Sequence, residues 1–203
     1  MKFVLQNKHI YPYSNLKHKN MAIYKAYDEK VEVNGQTILS FVNGTQSSFQ
    51  KTILGILADH GIESPEADKW YPQQHWLDAF KTISEKVGSM TLMSIGKAIP
   101  ESAVFPPQID NLETALSAID MAYNMNHRGG NIGHYKLEAF DVSKRKATMV
   151  CENPYPDAFN QGIITSMAKR FKPKEALFVV VEQDKTKPSV EKGDESSHFN
   201  ISW

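Results

Sequence analysis

"YKLEAFDVSKRKATMVCENPYPDAFNQGIITSMAKRF", Tyr135 to Phe171, decides the fold. Tyr135, Leu137 and Ala139 alternate with Lys136 and Glu138, the two-residue period of a strand with one covered face. A polar turn over 141–145 follows, and then Ala147, Met149 and Cys151 alternate with Thr148 and Val150. From about Asp157 the period lengthens. Phe159, Ile163, Ile164, Met167 and Ala168 fall on one helical face, and Pro173 ends the helix. Two strands joined by a short turn run antiparallel, so the sheet is not built from alternating parallel units.

Downstream, "ALFVVVE" (176–182) reads as a buried strand, and "HFNISW" (198–203) alternates Phe199, Ile201 and Trp203. The charged "QDKTKPSVEKGDES" (183–196) between them reads as a free loop whose partial deletion, Lys185 to Lys192, costs little.

Upstream the pattern is helical. "SSFQKTILGILADHG" (47–61) places Phe49, Ile53, Ile56 and Leu57 on one face, with Gly61 closing the helix. "YPQQHWLDAFKTISEKVG" (71–88) carries a stripe of Trp76, Leu77, Phe80, Ile83 and Val87 between Pro72 and Gly88. "SMTLMSIGKAIP" (89–100) is a shorter helix stopped before Pro100. "IDNLETALSAIDMAYNM" (109–125) buries Leu112, Ala115, Leu116, Ile119, Ala122 and Tyr123, with Asp110 and Glu113 as a capping-box start. Asn34-Gly35 in "VEVNGQTILSFV" (31–42) reads as a type I′ hairpin turn. The expected fold is α+β, a helical N-terminal half packed on a mainly four-stranded antiparallel sheet. Residues 1–20 read as an arm and 21–203 as one domain.

Bulk composition narrows the function classes. Among 203 residues, 23 Lys and Arg balance 23 Asp and Glu, and no basic run is interleaved with aromatics, so nucleic acid is not an expected partner. No stretch approaches the ~20 apolar residues of a membrane span. The single cysteine, Cys151, forms no internal disulfide and suits a reducing cytoplasm. No glycine-rich phosphate loop follows a strand.

The layout resembles the fold shared by 4-vinyl reductase-type small-molecule-binding domains, the H-NOX gas sensors and the TRAPP vesicle-tethering subunits. The resemblance is carried by "WYPQQHWLDAFKTISEKVGSMTLMSIGKAIP" (70–100), the helix-to-strand join over 111–140, "CENPYPDAFNQGIITSMAKRF" (151–171) and "GDESSHFNISW" (193–203). It implies a helical layer over an antiparallel sheet, often around an apolar pocket, in proteins that sense small molecules or act as scaffolds. The chain has no Tyr-x-Ser-x-Arg motif, with which H-NOX proteins hold haem propionates, and no cysteine cluster of the metal-binding 4-vinyl reductase members. The resemblance therefore assigns no cofactor.

Candidate sites are read from the residues. "YNMNHRGGNIGHY" (123–135) joins the last upstream helix to the first strand. Gly129 and Gly130 suit backbone angles closed to other residues, and His127 and Arg128 complement the negative end of the helix. The same Arg and His would also meet a ligand carboxylate or phosphate. His75, His127, His134 and Cys151 match no tight metal-ligand spacing, so no metal is expected. Cys151 falls on a core face, where a thiol is inert. Trp70 and Tyr71, just outside the regular stripe, would edge an opening, and Tyr155 in "NPYP" would line a pocket. Met90, Met93, Met121, Met125, Met149 and Met167 add adaptable sulfur to the expected interior.

The reading favoured is a small-molecule-binding or sensory domain for an apolar or amphipathic molecule, polar near His127 and Arg128. Having no output domain, it would act through a partner or a homodimer. A ligand-free interaction scaffold comes second. An enzyme using His127, Arg128 and Cys151 comes last, because no complete catalytic set is present.

Overall fold

The computed structural model describes residues 23–203, so the arm expected over 1–20 lies outside the described residues. Among the described residues, five α-helices and two antiparallel sheets form an α+β fold. In chain order the elements are β1 (Glu32–Asn34), α1 (Gly35–Asn43), α2 (Ser47–Asp59), β2 (Trp70–Pro72), α3 (Gln73–Ser102), α4 (Leu112–Met125), β3 (His127–Arg128), β4 (His134–Asp141), β5 (Lys146–Glu152), α5 (Asp157–Arg170), β6 (Val180–Gln183) and β7 (Ser197–Ser202). The larger sheet runs β4-β5-β7-β6, the four-stranded sheet expected from the sequence. Its covered face presents Met149, Cys151, Phe199 and Ile201, which the alternation of β5 and β7 selects.

The hairpin expected at Asn34-Gly35 does not form. Asn34 sits at φ −69° and its side chain accepts from the Gln36 backbone N–H at 2.7 Å, so it caps α1 rather than turning a hairpin. β1 instead pairs with two segments that carry no period of their own. Glu32, Val33 and Asn34 face Pro72, Tyr71 and Trp70 on one side, and Glu32 and Val33 face Arg128 and His127 on the other. His127 and Arg128 are thus strand residues. Gly129 follows at φ +96°, packed so closely on the Lys30 carbonyl that a side chain would collide with it. Gly130 keeps an ordinary φ and lies against the Asp28 carboxylate.

Several other expectations shift. α4 is capped by Asn111 with Thr114, whose side chains and backbone N–H groups bond reciprocally, not by Asp110 with Glu113. The helix expected to stop before Pro100 continues through it to Ser102, while the break expected at Gly88 is present (φ 73°, ψ 169°) and divides α3 into two helical halves. The register of β4 against β5 slips at Glu138, so Ala139 turns outward and Phe140 turns in to stack on Trp203 at 5.2 Å. β6 begins only at Val180, leaving Leu177 and Phe178 exposed before the free edge strand. Phe49, Met90, Met121, Met125 and Ala122 are also exposed, because the covered stripes are narrower than their spacing suggests.

The 183–196 segment is not free. Ser189 and Val190 are buried, and Ser189 Oγ donates to Asp157 Oδ2 at 2.7 Å. Glu191 accepts from the Asp157 backbone N–H at 3.0 Å, capping α5 from a distance in sequence.

The helices meet around an aromatic cluster. Phe41 packs edge-on to Trp76 at 5.0 Å, Trp76 to Phe80 at 5.2 Å, and Phe80 to Phe159 at 5.1 Å. α3 and α5 cross at Gly96 and Gly162, where each backbone lies against the other and any Cβ would strike a carbonyl of the partner helix.

Candidate functional site

Beside that crossing, α1, both halves of α3, α4 and α5 leave a cavity of about 450 Å³. Its walls are mostly apolar, with Phe41, Ile119, Phe159, Ile163 and Met167 among them. Gln36, Thr37, Ser40 and Asn43 of α1, with Asn126, form a polar rim. Among the described residues no Asp, Glu, Lys or Arg lines it. The volume lies within the range of small-molecule pockets.

The inner end is aromatic and polar. His127 Nδ1 stands 2.9 Å from the Tyr123 carbonyl, and its Nε2 stands 3.0 Å from the Tyr155 hydroxyl. A carbonyl only accepts, so Nδ1 carries the proton and Nε2 accepts from Tyr155. Burial holds the imidazole neutral by lowering its pKa to about 4, against a smaller opposing effect of the bonded carbonyl. Tyr123 donates to the Ile132 carbonyl at 2.6 Å, and Tyr135 to Asn160 Oδ1 at 2.5 Å. Burial raises the pKa of all three phenols, that of Tyr155 to about 12, so they stay protonated.

Two of the residues singled out from sequence, His127 and Tyr155, line this cavity together. The others lie elsewhere. Arg128 is exposed, bonded through Nε to Glu32 Oε2 at 2.6 Å and stacked 4.4 Å over Trp70. Tyr71 accepts from the Glu66 N–H at 2.9 Å, on the small sheet. His75 is exposed on α3 beside Gly61. His134 stands 3.8 Å from Glu152 at the start of β4. Cys151 is buried, and desolvation pushes its thiol well above the usual range, so it stays protonated. Among the described residues no three potential metal ligands cluster, and no helix is long and apolar enough to cross a membrane.

Sequence reasoning placed Trp76 in the core but missed Gln73, one turn before it and wholly buried. A glutamine on an apolar helical stripe was the available signal. Tyr123, four residues before His127 and thus on its face of the helix end, was another.

No protein-family model matches the chain, and no curated protein matches it in sequence. The fold is shared with solved H-NOX domains. The chain is similar to a structure from the H-NOX family in which haem distortion was probed, with a TM-score of 0.59 at 17% identity over 84% of this chain and 94% of that one. It is similar also to an oxygen-binding H-NOX domain related to soluble guanylate cyclases, solved as the oxygen complex, with a TM-score of 0.53 at 18% identity over 83% and 94%.

Proposed function

We propose that residues 21–203 form one small-molecule-binding sensory domain that holds an apolar or amphipathic organic ligand in the cavity beneath α1, α3, α4 and α5. The observation that carries this reading is a mostly apolar space of about 450 Å³ beside the aromatic core. A cytoplasmic setting and output through a partner chain or a homodimer belong to the same proposal.

The H-NOX neighbours concern haem, and the residues here do not fit it. Among the described residues His127 is the one histidine on the cavity wall, and both its ring nitrogens are engaged. Neither Arg nor Lys among the described residues lines the wall to meet two propionates, and unpaired carboxylates are expensive to bury. In Tyr155-Pro-Asp-Ala-Phe159 the residues after the tyrosine supply no cation. The ligand in this reading is therefore not a porphyrin.

The test uses Ala122→Phe, which fills the cavity from an exposed position on its wall. A neutral environment-sensitive dye such as 1-aminoanthracene should bind the wild type and lose affinity roughly tenfold or more in the variant, with melting unchanged. Equal binding by both proteins, or a Soret band with histidine ligation after incubation with haemin, would overturn the reading.

A second reading, an interaction scaffold, is supported by one observation: Leu177 and Phe178 lie exposed beside the edge strand β6. Phe178→Asp should then release a partner or dissociate a dimer in sedimentation, with the dye site intact.

A further inference from the structure

We infer that Phe105 limits the length of ligand the cavity accepts, and that Arg170 is the positioning residue that holds its ring in place. The inference rests on the cavity reading above and specifies the size selectivity of that site.

The cavity runs along α5. Phe159, Ile163 and Met167 line it at successive turns, and from Phe159 to Met167 the helix rises about 12 Å. Beside the start of α5 stand His127, Tyr135 and Tyr155, which also line the cavity. Their polar atoms are bonded within the fold, His127 to Tyr155 and Tyr135 to Asn160, so that end is fixed. At the opposite end is Phe105, in the irregular stretch that follows α3. Its ring meets Phe171, one turn beyond Met167, edge-on at 5.4 Å. A linear molecule lying along α5 therefore runs from the tyrosines to the Phe105 ring.

The ring is held from outside its own segment. Pro106 keeps the Phe105 backbone extended, which leaves the side-chain direction to be set by packing. The preceding Val104 is 96% exposed, whereas Phe105 is half-buried on the cavity wall. Arg170, the last residue of α5, supplies the packing. Its Nη1 donates to the Pro100 carbonyl at 2.9 Å and to the Ala103 carbonyl at 3.2 Å, at the end of α3, where a helix leaves acceptors over. The same guanidinium lies 4.7 Å over the Phe105 ring and 5.6 Å from that of Phe171. One side chain thus ties the backbone before Phe105, and the ring itself, to the end of the helix that lines the cavity. A lysine keeps the charge but replaces the planar fork and its stack by a point charge.

The test measures displacement of 1-aminoanthracene by linear alkan-1-ols of increasing length. In the wild type each added methylene should tighten binding roughly three- to fourfold until the chain meets Phe105, after which further methylenes add nothing. Phe105→Ala should move this limit to longer alcohols, and the first alcohol beyond the wild-type limit should gain roughly threefold or more. Phe105→Trp should move it to shorter ones, a shift that a loosened fold does not imitate. Arg170→Ala should act in the same direction as Phe105→Ala, and Arg170→Lys should recover only part of the wild-type limit. The double variant should bind as Phe105→Ala alone does, since Arg170 acts through the ring. A wild type that tightens without limit, or a limit that neither Phe105 variant moves, would overturn the inference and leave the cavity reading intact. So would a dye that no alcohol displaces. Additive effects of Arg170→Ala and Phe105→Ala would remove Arg170 from its role. If the dye itself does not bind, the cavity reading fails and this inference with it. Should Phe105→Ala or Arg170→Ala not fold, Phe105→Leu and Phe105→Trp decide, with limits moved in opposite directions.

Discussion

His127 shows how one side chain links the site to the stability of the fold. Its ring is held between the Tyr123 carbonyl and the Tyr155 hydroxyl, an arrangement that needs the neutral imidazole. The folded pKa is about 4, against 6.5 for the free side chain. Between those values the unfolded chain binds a proton that the folded one refuses, so unfolding gains as pH falls. Stability should be complete above about pH 6.5 and decline towards pH 4, by about 3 kcal/mol in all. Denaturant melts of wild type and His127→Gln across this window check the sign, and the variant should lose that part of the slope. Arg128, by contrast, makes an exposed ion pair and a stack over Trp70, both away from the cavity. Arg128→Ala should cost less than about 1 kcal/mol and leave dye affinity unaltered, because exposed pairs are screened. A large loss of affinity would place Arg128 back in the site.

Elements differ in how they reveal themselves. α2, α4, α5, β5 and β7 run long enough for their buried residues to repeat, and sequence spacing finds their covered faces apart from margins such as Phe49 on α2 and Ala122 on α4, which are exposed. β1, β2 and β3 have two or three residues each, too few for any period, and β2 and β3 exist as strands because each pairs with the central β1. Asn34 misleads for a chemical reason: the side chain that suits a tight turn is equally suited to cap a helix. The slip at Glu138 is invisible because it depends on the partner strand. The site divides along the same line. His127 and Tyr155 stand out locally, whereas the rim residues Gln36, Thr37, Ser40 and Asn43 become candidates only once tertiary packing brings α1 to the cavity. The 183–196 segment is the instructive failure. Its charges suggest solvent, yet Ser189 and Gln183 both donate to the buried Asp157 carboxylate. Ser189→Ala should therefore destabilise by about 1.5–3 kcal/mol, the scale of a hydrogen bond to a charged group. Deletion of Lys185 to Lys192 should be worse. A melt unchanged by Ser189→Ala would return the segment to the status of a free loop.

At the scale of the molecule, the cavity exists because its walls are unequal. α3 and α5 touch backbone to backbone at Gly96 and Gly162, and a methyl on Gly162 would strike the Met93 carbonyl. Gly162→Ala should cost about 2 kcal/mol or more, through forced separation of the two helices. A thermal melt measures this, and a shift under 1 °C would mean that the helices part freely. α1 and α4, which close the other side, carry the polar rim and meet solvent. The glycine crossing has a consequence in time as well as in space. With the two backbones in direct contact, the amides near the crossing exchange with solvent only when α3 and α5 come apart together. In deuterated buffer they should be among the last to exchange, at the rate of global opening. The amides of α1 should exchange early, and the difference marks the side on which the molecule opens.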